Sequence, residues 1–236
     1  MEDFTKPVLP GTAESDYERY LRTEELLRLQ KTATEAVHHD ELLFQVTHQS
    51  SELWLKLACA DLELATGHIG RDEIAPAVRL TRRATQSILL ITTQIHMLEH
   101  MSPWEYQTIR RVLGHGSGFD SPGFKQVHRL SPLLADAFTT LLERRHLTIV
   151  ALYQNGRQLE DLYQLAEQLI EWDERVVLWK FHHLKLVERI IGGHVIGTQG
   201  TPVEVLGKRI GVMYFPELWE ARNRLTALAK EQEGQK

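Results

Sequence analysis

Apolar positions recur three and four residues apart along almost the whole chain, the period of one face of an α-helix. No stretch alternates apolar and polar residues as a half-buried strand does, so the pattern predicts an all-α fold. After an arm at residues 1–14, expected to be flexible, Ser15 and Glu18 carry the signature of a capping box. They open a helix over 15–31 whose apolar positions are Tyr17, Tyr20, Leu21 and Leu27. A helix over 40–66 follows, ended by Gly67, with a main stripe of Leu43, Val46, Leu53, Leu57 and Leu64 and with Trp54 assigned to the core. The next spans 72–100, where Pro76 is tolerated near the first turn. Ser102, Pro103 and Glu105 then start a short helix that stops before Gly114. Helices over 131–154 and 159–191, and a last one from near Pro216 to about residue 230, complete the pattern.

Two segments break the periodicity. Residues 114–123 (GHGSGFDSPG) hold four glycines and a proline, which makes them a loop between packed helices. Residues 192–211 hold six glycines, more than packing explains, and are read as an active-site segment that covers a ligand. No linker divides the 236 residues, so one domain over 1–236 is expected. The longest uncharged run, residues 84–98, is too short to span about 30 Å of hydrocarbon, and no membrane contact is expected. An acidic, polar N-terminus lacks the features of a secretory signal, which points to a cytoplasmic protein. The single cysteine, Cys59, excludes an internal disulfide framework and a thiolate metal cluster. A net charge of −5 without a basic run excludes a nucleic-acid footprint and points to a small-molecule partner.

Four constellations can carry chemistry. His96, Glu99 and His100 match H-x-x-E-H, a zinc-hydrolase pattern that lacks an evident third ligand and equally suits the polar end of a helix. Phe44 and His48 lie one turn apart on a face that Leu55 extends; a histidine beside an aromatic there is either a functional group or a packing residue. Tyr106 and Arg110 share a face with Leu113, and the Arg fork suits a carboxylate, although an Arg lying over a Tyr ring is a common surface arrangement. His183 is in register with Val176, Trp179, Val187 and Ile190, whereas His182 is turned by about 100°. A histidine among hydrophobes stays neutral and is able to ligate an iron porphyrin, or it is simply core.

Several blocks in fixed order resemble the tryptophan 2,3-dioxygenases. They are residues 16–30 (DYERYLRTEELLRLQ), 38–56 (HHDELLFQVTHQSSELWLK), 101–119 (MSPWEYQTIRRVLGHGSGF), 178–192 (LWKFHHLKLVERIIG), Gly197-Thr198, and 215–222 (FPELWEAR). The resemblance implies an all-helical haem protein that opens the indole ring of L-tryptophan with O2 and forms N-formyl-L-kynurenine. It implies one haem b per subunit, held through its iron by His183 with Trp179 beside it. It implies His48 as the distal catalytic residue near the indole N–H and Phe44 as an indole wall. Arg110 would take the substrate carboxylate, with Tyr106 beside it, and Thr198 would meet the ammonium group. Tyr17, Tyr20 and Leu21 fall where the family's first helix caps a neighbour's site, in a homotetramer.

Some positions depart from the family. Its G-T-G-G-S-S-G becomes GTQGTPVEVLG here, so Gln199 and Pro202 alter the covering loop, and one extra residue separates His183 from Thr198. After Phe119 the chain reads DSPGFKQV, where the family has a glutamine-serine start and a later Arg, and the helical region before His183 is shorter. These changes leave open a haem monooxygenase that puts one oxygen atom on a substituted tryptophan to give an oxindole. A zinc hydrolase and a non-catalytic haem-binding module are the alternatives from other classes.

Overall fold

The computed structural model describes residues 6–234, so residues 1–5 of the N-terminal arm lie outside it. It contains ten α-helices: α1 (Asp16–Leu21), α2 (Thr23–Leu27), α3 (Asp40–Gly70), α4 (Ile74–Ile95), α5 (Pro103–Val112), α6 (Pro122–Arg144), α7 (Ile149–Gln154), α8 (Glu160–Ile191), α9 (Glu204–Ile210) and α10 (Pro216–Gly234). Two 3-10 turns, His96–His100 and Gly118–Asp120, interrupt them, and no strand forms among the described residues. The fold is all-α, as the periodicity predicts. No helix among the described residues is long and apolar enough to cross a membrane.

The frame is made by α3, α4, α6 and α8. Leu55, Leu62 and Ile69 of α3 meet Ile88 and Ile91 of α4, Leu134 and Leu141 of α6, and Leu162, Leu165 and Trp172 of α8, all essentially removed from solvent. Each such side chain contributes about 1.5–3 kcal/mol of burial. Several polar groups inside are paired: Trp172 Nε1 donates to Ser131 Oγ at 3.0 Å, and the buried Thr81 and Thr85 hydroxyls donate to carbonyls one turn back. Arg83 donates to the buried carboxylate of Asp61 at 2.7 Å and so fastens α4 to α3.

The face that α3 turns inward is not the expected one. Val46, Leu53 and Leu64 are about half exposed, and Leu55, Ala58, Leu62, Ala65 and Ile69 form the core side. The helix is apolar on two faces, and its alanines let α4 and α6 approach closely on one of them. Trp54, expected in the core, is 37% exposed. Boundaries shift for local reasons. The expected 15–31 helix breaks at Arg22, whose left-handed φ of 54° separates α1 from α2. The 40–66 helix runs on to Gly70, so Gly67 does not end it. The 72–100 helix ends at Ile95 and tightens into a 3-10 turn.

The helix expected over 131–154 starts earlier, at Pro122, where Ser121 Oγ accepts from Phe124 N at 3.1 Å and proline sits at the first position. It ends at Arg144, His146 turns the chain at φ 54°, and Thr148 caps α7. Within the glycine-rich 192–211 segment, a bridge between Ile196 and Pro202 is followed by helix α9, which glycine content hid. Ahead of α1, residues 6–14 are non-helical and tied to it. Val8 and Leu9 donate backbone N–H groups to Asp16, and Arg19 donates to the carbonyls of Leu9 and Ala13.

Candidate active site

Five of the expected residues arrive from three helices at one place. Phe44 and His48 of α3 lie with ring centroids 4.1 Å apart, Phe44 meets Tyr106 of α5 at 6.1 Å, and Trp179 of α8 packs in the same apolar cluster with Leu113. His183, one turn beyond Trp179, stacks on its indole at 5.1 Å and 9°. Phe124 of α6 takes a tilted position 3.9 Å from the indole, so Trp179 is held between two rings and fixes the plane of the imidazole. Neither ring nitrogen of His183 has a hydrogen-bond partner among the described residues. Burial, and then the nearby His48, push its pKa down to about 4, so the imidazole is neutral at pH 7.

His48 has a defined tautomer. Its Nδ1 lies 2.7 Å from the carbonyl oxygen of Phe44, which only accepts, so Nδ1 carries the proton and Nε2 is left as an acceptor. The ring keeps a surface open to solvent, yet the protein around it lowers its pKa against the opposing effects of the Phe44 carbonyl and Glu52. Glu52, one turn further along α3, accepts from Ser121 Oγ and from Gly123 N at 2.9 Å, which ties the end of the 114–123 loop to the helix that carries His48. Leu55 is not part of this face. It lies in the core, where it packs under Gly123.

The covering segment closes on the pocket through α5 and the glycine loop. Arg110 Nη2 donates to the Ile196 carbonyl at 2.6 Å, Thr198 Oγ1 donates to the Gly116 carbonyl, and Gln199 donates to Asp120. Arg209 of α9 lies over the Phe119 ring at 4.8 Å, next to Gly118, which faces His183. Burial raises the pKa of Tyr106 against the effect of Arg110, so its hydroxyl stays protonated. Arg209 and Lys180 both lower the pKa of His128, after burial, and neither has a carboxylate within 4 Å among the described residues. Tyr17, Tyr20 and Leu21 are not brought to this site; they are 68%, 78% and 46% exposed on α1.

The zinc pattern fails on geometry. Residues four apart in a 3-10 turn point about 120° from one another, so His96 and His100 do not converge. His96 Nδ1 instead pairs with Glu99 at 2.6 Å, and the three-ligand cluster found among the described residues, His38, His39 and Asp40, excludes both histidines. Sequence reasoning missed Phe124, Glu52, Gly118 and the Ile196 and Gly116 carbonyls. The first two lie in a helix start read as loop and on the flank of a stripe, and a carbonyl's role has no residue-type signal.

Comparison with known proteins finds relatives along most of the chain. The family model described as tryptophan 2,3-dioxygenase matches residues 7–132, more than half of the chain. A protein of Saccharopolyspora erythraea named tryptophan 2,3-dioxygenase is 31% identical over 90% of this chain and 93% of its own length. Proteins of the same name from Bradyrhizobium sp. (strain ORS 278) and Caulobacter vibrioides are each 32% identical over 89% of this chain, covering 92% and 98% of their own lengths. Matched through both the α3–α5 pocket and nearly the full length, the chain belongs to the tryptophan 2,3-dioxygenase family.

Proposed function

We propose that the chain is a haem-dependent oxygenase that inserts both atoms of O2 across the indole C2–C3 bond of L-tryptophan, giving N-formyl-L-kynurenine. The observation that carries this reading is His183: neutral, stacked on Trp179, free of hydrogen bonds among the described residues, and facing the pocket of His48. These residues fit a haem. A neutral imidazole in an aromatic setting would suit the haem iron, with Trp179 stacked beside it. Arg209, over the Phe119 ring beside Gly118, would supply positive charge for a porphyrin carboxylate.

Bound haem supplies the oxygen activation. The chain's residues do the rest. Phe44, with Tyr106, walls the indole, and His48 Nε2 accepts a hydrogen bond from the indole N–H. Arg110 takes the substrate carboxylate with the guanidinium donors that its bond to Ile196 leaves free, and Thr198 meets the ammonium group. Because Arg110 and Thr198 also bond to the covering segment and the glycine loop, substrate recognition and exclusion of water share the same contacts. Val46, Leu53 and Leu64 on α3, with Tyr17, Tyr20 and Leu21 on α1, leave apolar surface unpartnered, which supports a homotetramer in which α1 reaches a neighbour's site.

The test uses purified, haem-loaded, reduced protein with L-tryptophan under labelled dioxygen. A product mass that carries two labelled atoms is the expected result. One labelled atom, or none despite tryptophan binding, overturns the dioxygenase reading.

A further inference from the structure

Asp173 is fully buried on α8 and takes no part in the chemistry above, yet it makes three hydrogen bonds. Its Oδ1 accepts from Tyr214 N at 2.9 Å, and its Oδ2 accepts from Phe215 N at 3.2 Å and from Trp219 Nε1 at 3.0 Å. All three donors belong to the stretch where the chain returns from the covering segment and begins α10. Lys180 lies seven residues along α8, rotated by only about 20° from Asp173, and donates to the Val212 carbonyl at 3.3 Å. The Tyr214 side chain is held as well: its ring lies under Lys180 at 5.4 Å, and its hydroxyl hydrogen-bonds to His128 Nδ1.

The upstream end of the same segment leaves α8 at Gly192, whose φ of 97° suits glycine. The segment is therefore a closed span with both feet on one helix, and that helix also carries His183. A rigid helix sets the distance between the two feet, and with it where Ile196 and Thr198 meet Arg110 and Gly116. A buried carboxylate is expensive to keep unless its oxygens are filled, and filling them with two backbone N–H groups and an indole N–H makes the joint specific.

We propose that Asp173 is the positioning residue of the covering segment: its clamp on residues 214, 215 and 219 sets the span so that Thr198 and the Ile196 carbonyl reach the substrate pocket. This rests on reading residues 192–211 as the cover of that pocket. The geometry distinguishes such a clamp from a general core contact, because every partner of Asp173 lies downstream of the cover and none lies on α3, α4 or α6.

The experiment compares the haem-loaded wild type with Asp173→Asn and Trp219→Phe. Asn keeps the volume but presents an NH2 group to donors, and Phe removes a single bond. Hydrogen–deuterium exchange without substrate should speed up in residues 193–213 while α3, α4 and the rest of α8 keep wild-type rates, more so for Asp173→Asn. The haem spectrum should be unchanged, and the KM for tryptophan should rise about fivefold with kcat within about twofold. If Asp173→Asn is too unstable to purify, Trp219→Phe should show a smaller effect of the same pattern. Exchange that rises equally in the helices and the cover overturns the clamp, and so does faster exchange of the cover with KM unchanged. The exchange measurement needs no turnover, so a chain that fails to oxidise tryptophan but shows the localised change sinks the proposed function and leaves the clamp standing.

Discussion

A histidine's use depends on which form its surroundings favour. His183 in the folded chain resists protonation until about pH 4, whereas an unfolded histidine takes a proton near 6.5. Between those values the unfolded chain binds more protons, so the stability of the haem-free protein should fall as pH drops from 6.5 to 4, by about 3 kcal/mol, and be fully present above 6.5. Urea unfolding at pH 5 and pH 7 measures this, and His183→Leu should flatten the dependence. In the holoprotein, His183→Ala should abolish the haem absorbance band; full haem retention would remove it as the ligand. Arg110→Ala should raise the KM for tryptophan by the equivalent of about 1.5–3 kcal/mol, since it deletes a charge-assisted fork. An unchanged KM would leave Arg110 as a tether for Ile196 and nothing more. Both residues were legible because their neighbours one turn away share their face, so a face read from spacing is a face in space. Partners distant in sequence were not legible: nothing marks the carbonyls of Ile196 and Gly116, or the ring of Phe124, as components of the pocket.

At the scale of elements, what is encoded locally was readable and what depends on a neighbouring helix was not. Ser15 with Glu18 and Ser102 with Pro103 start helices where expected because capping involves residues within one turn. The start of α6 was hidden because proline and glycine read as loop. Pro122 is in fact at the first helical position, and Gly123 is glycine because α3 crosses there. A Cβ at residue 123 would lie 2.6 Å from Leu55 Cβ and 2.7 Å from Glu52 Oε2. Gly123→Ala, which raises intrinsic helix propensity, should therefore destabilise the protein by about 1–3 kcal/mol through overpacking. It should also loosen the Glu52 anchor of the glycine loop. Thermal unfolding checks the first effect and tryptophan KM the second; a stabilised variant would show that α3 and α6 have room to part.

For the whole molecule, the unexpected orientation of α3 is informative. A 31-residue helix with apolar residues on two faces has to cover both, and within the chain α4 and α6 cover one. Val46, Leu53 and Leu64 remain about half exposed on the other, and α1 presents Tyr17 and Tyr20 to solvent. Apolar surface continuous along a helix marks an association face. An isologous contact would pair two copies of α3 in a dimer, and α1 reaching across to a second dimer would join two of them into a tetramer. Sedimentation should then give four times the chain mass, and Val46→Glu with Leu53→Glu should reduce it while helical content by circular dichroism stays unchanged. The KM of the dissociated variant separates two roles for α1. If it rises, Tyr17, Tyr20 and Leu21 complete a neighbour's pocket. If the dissociated chain binds tryptophan as well as the wild type does, the α3–α5–α8 pocket is sufficient by itself and α1 serves assembly alone.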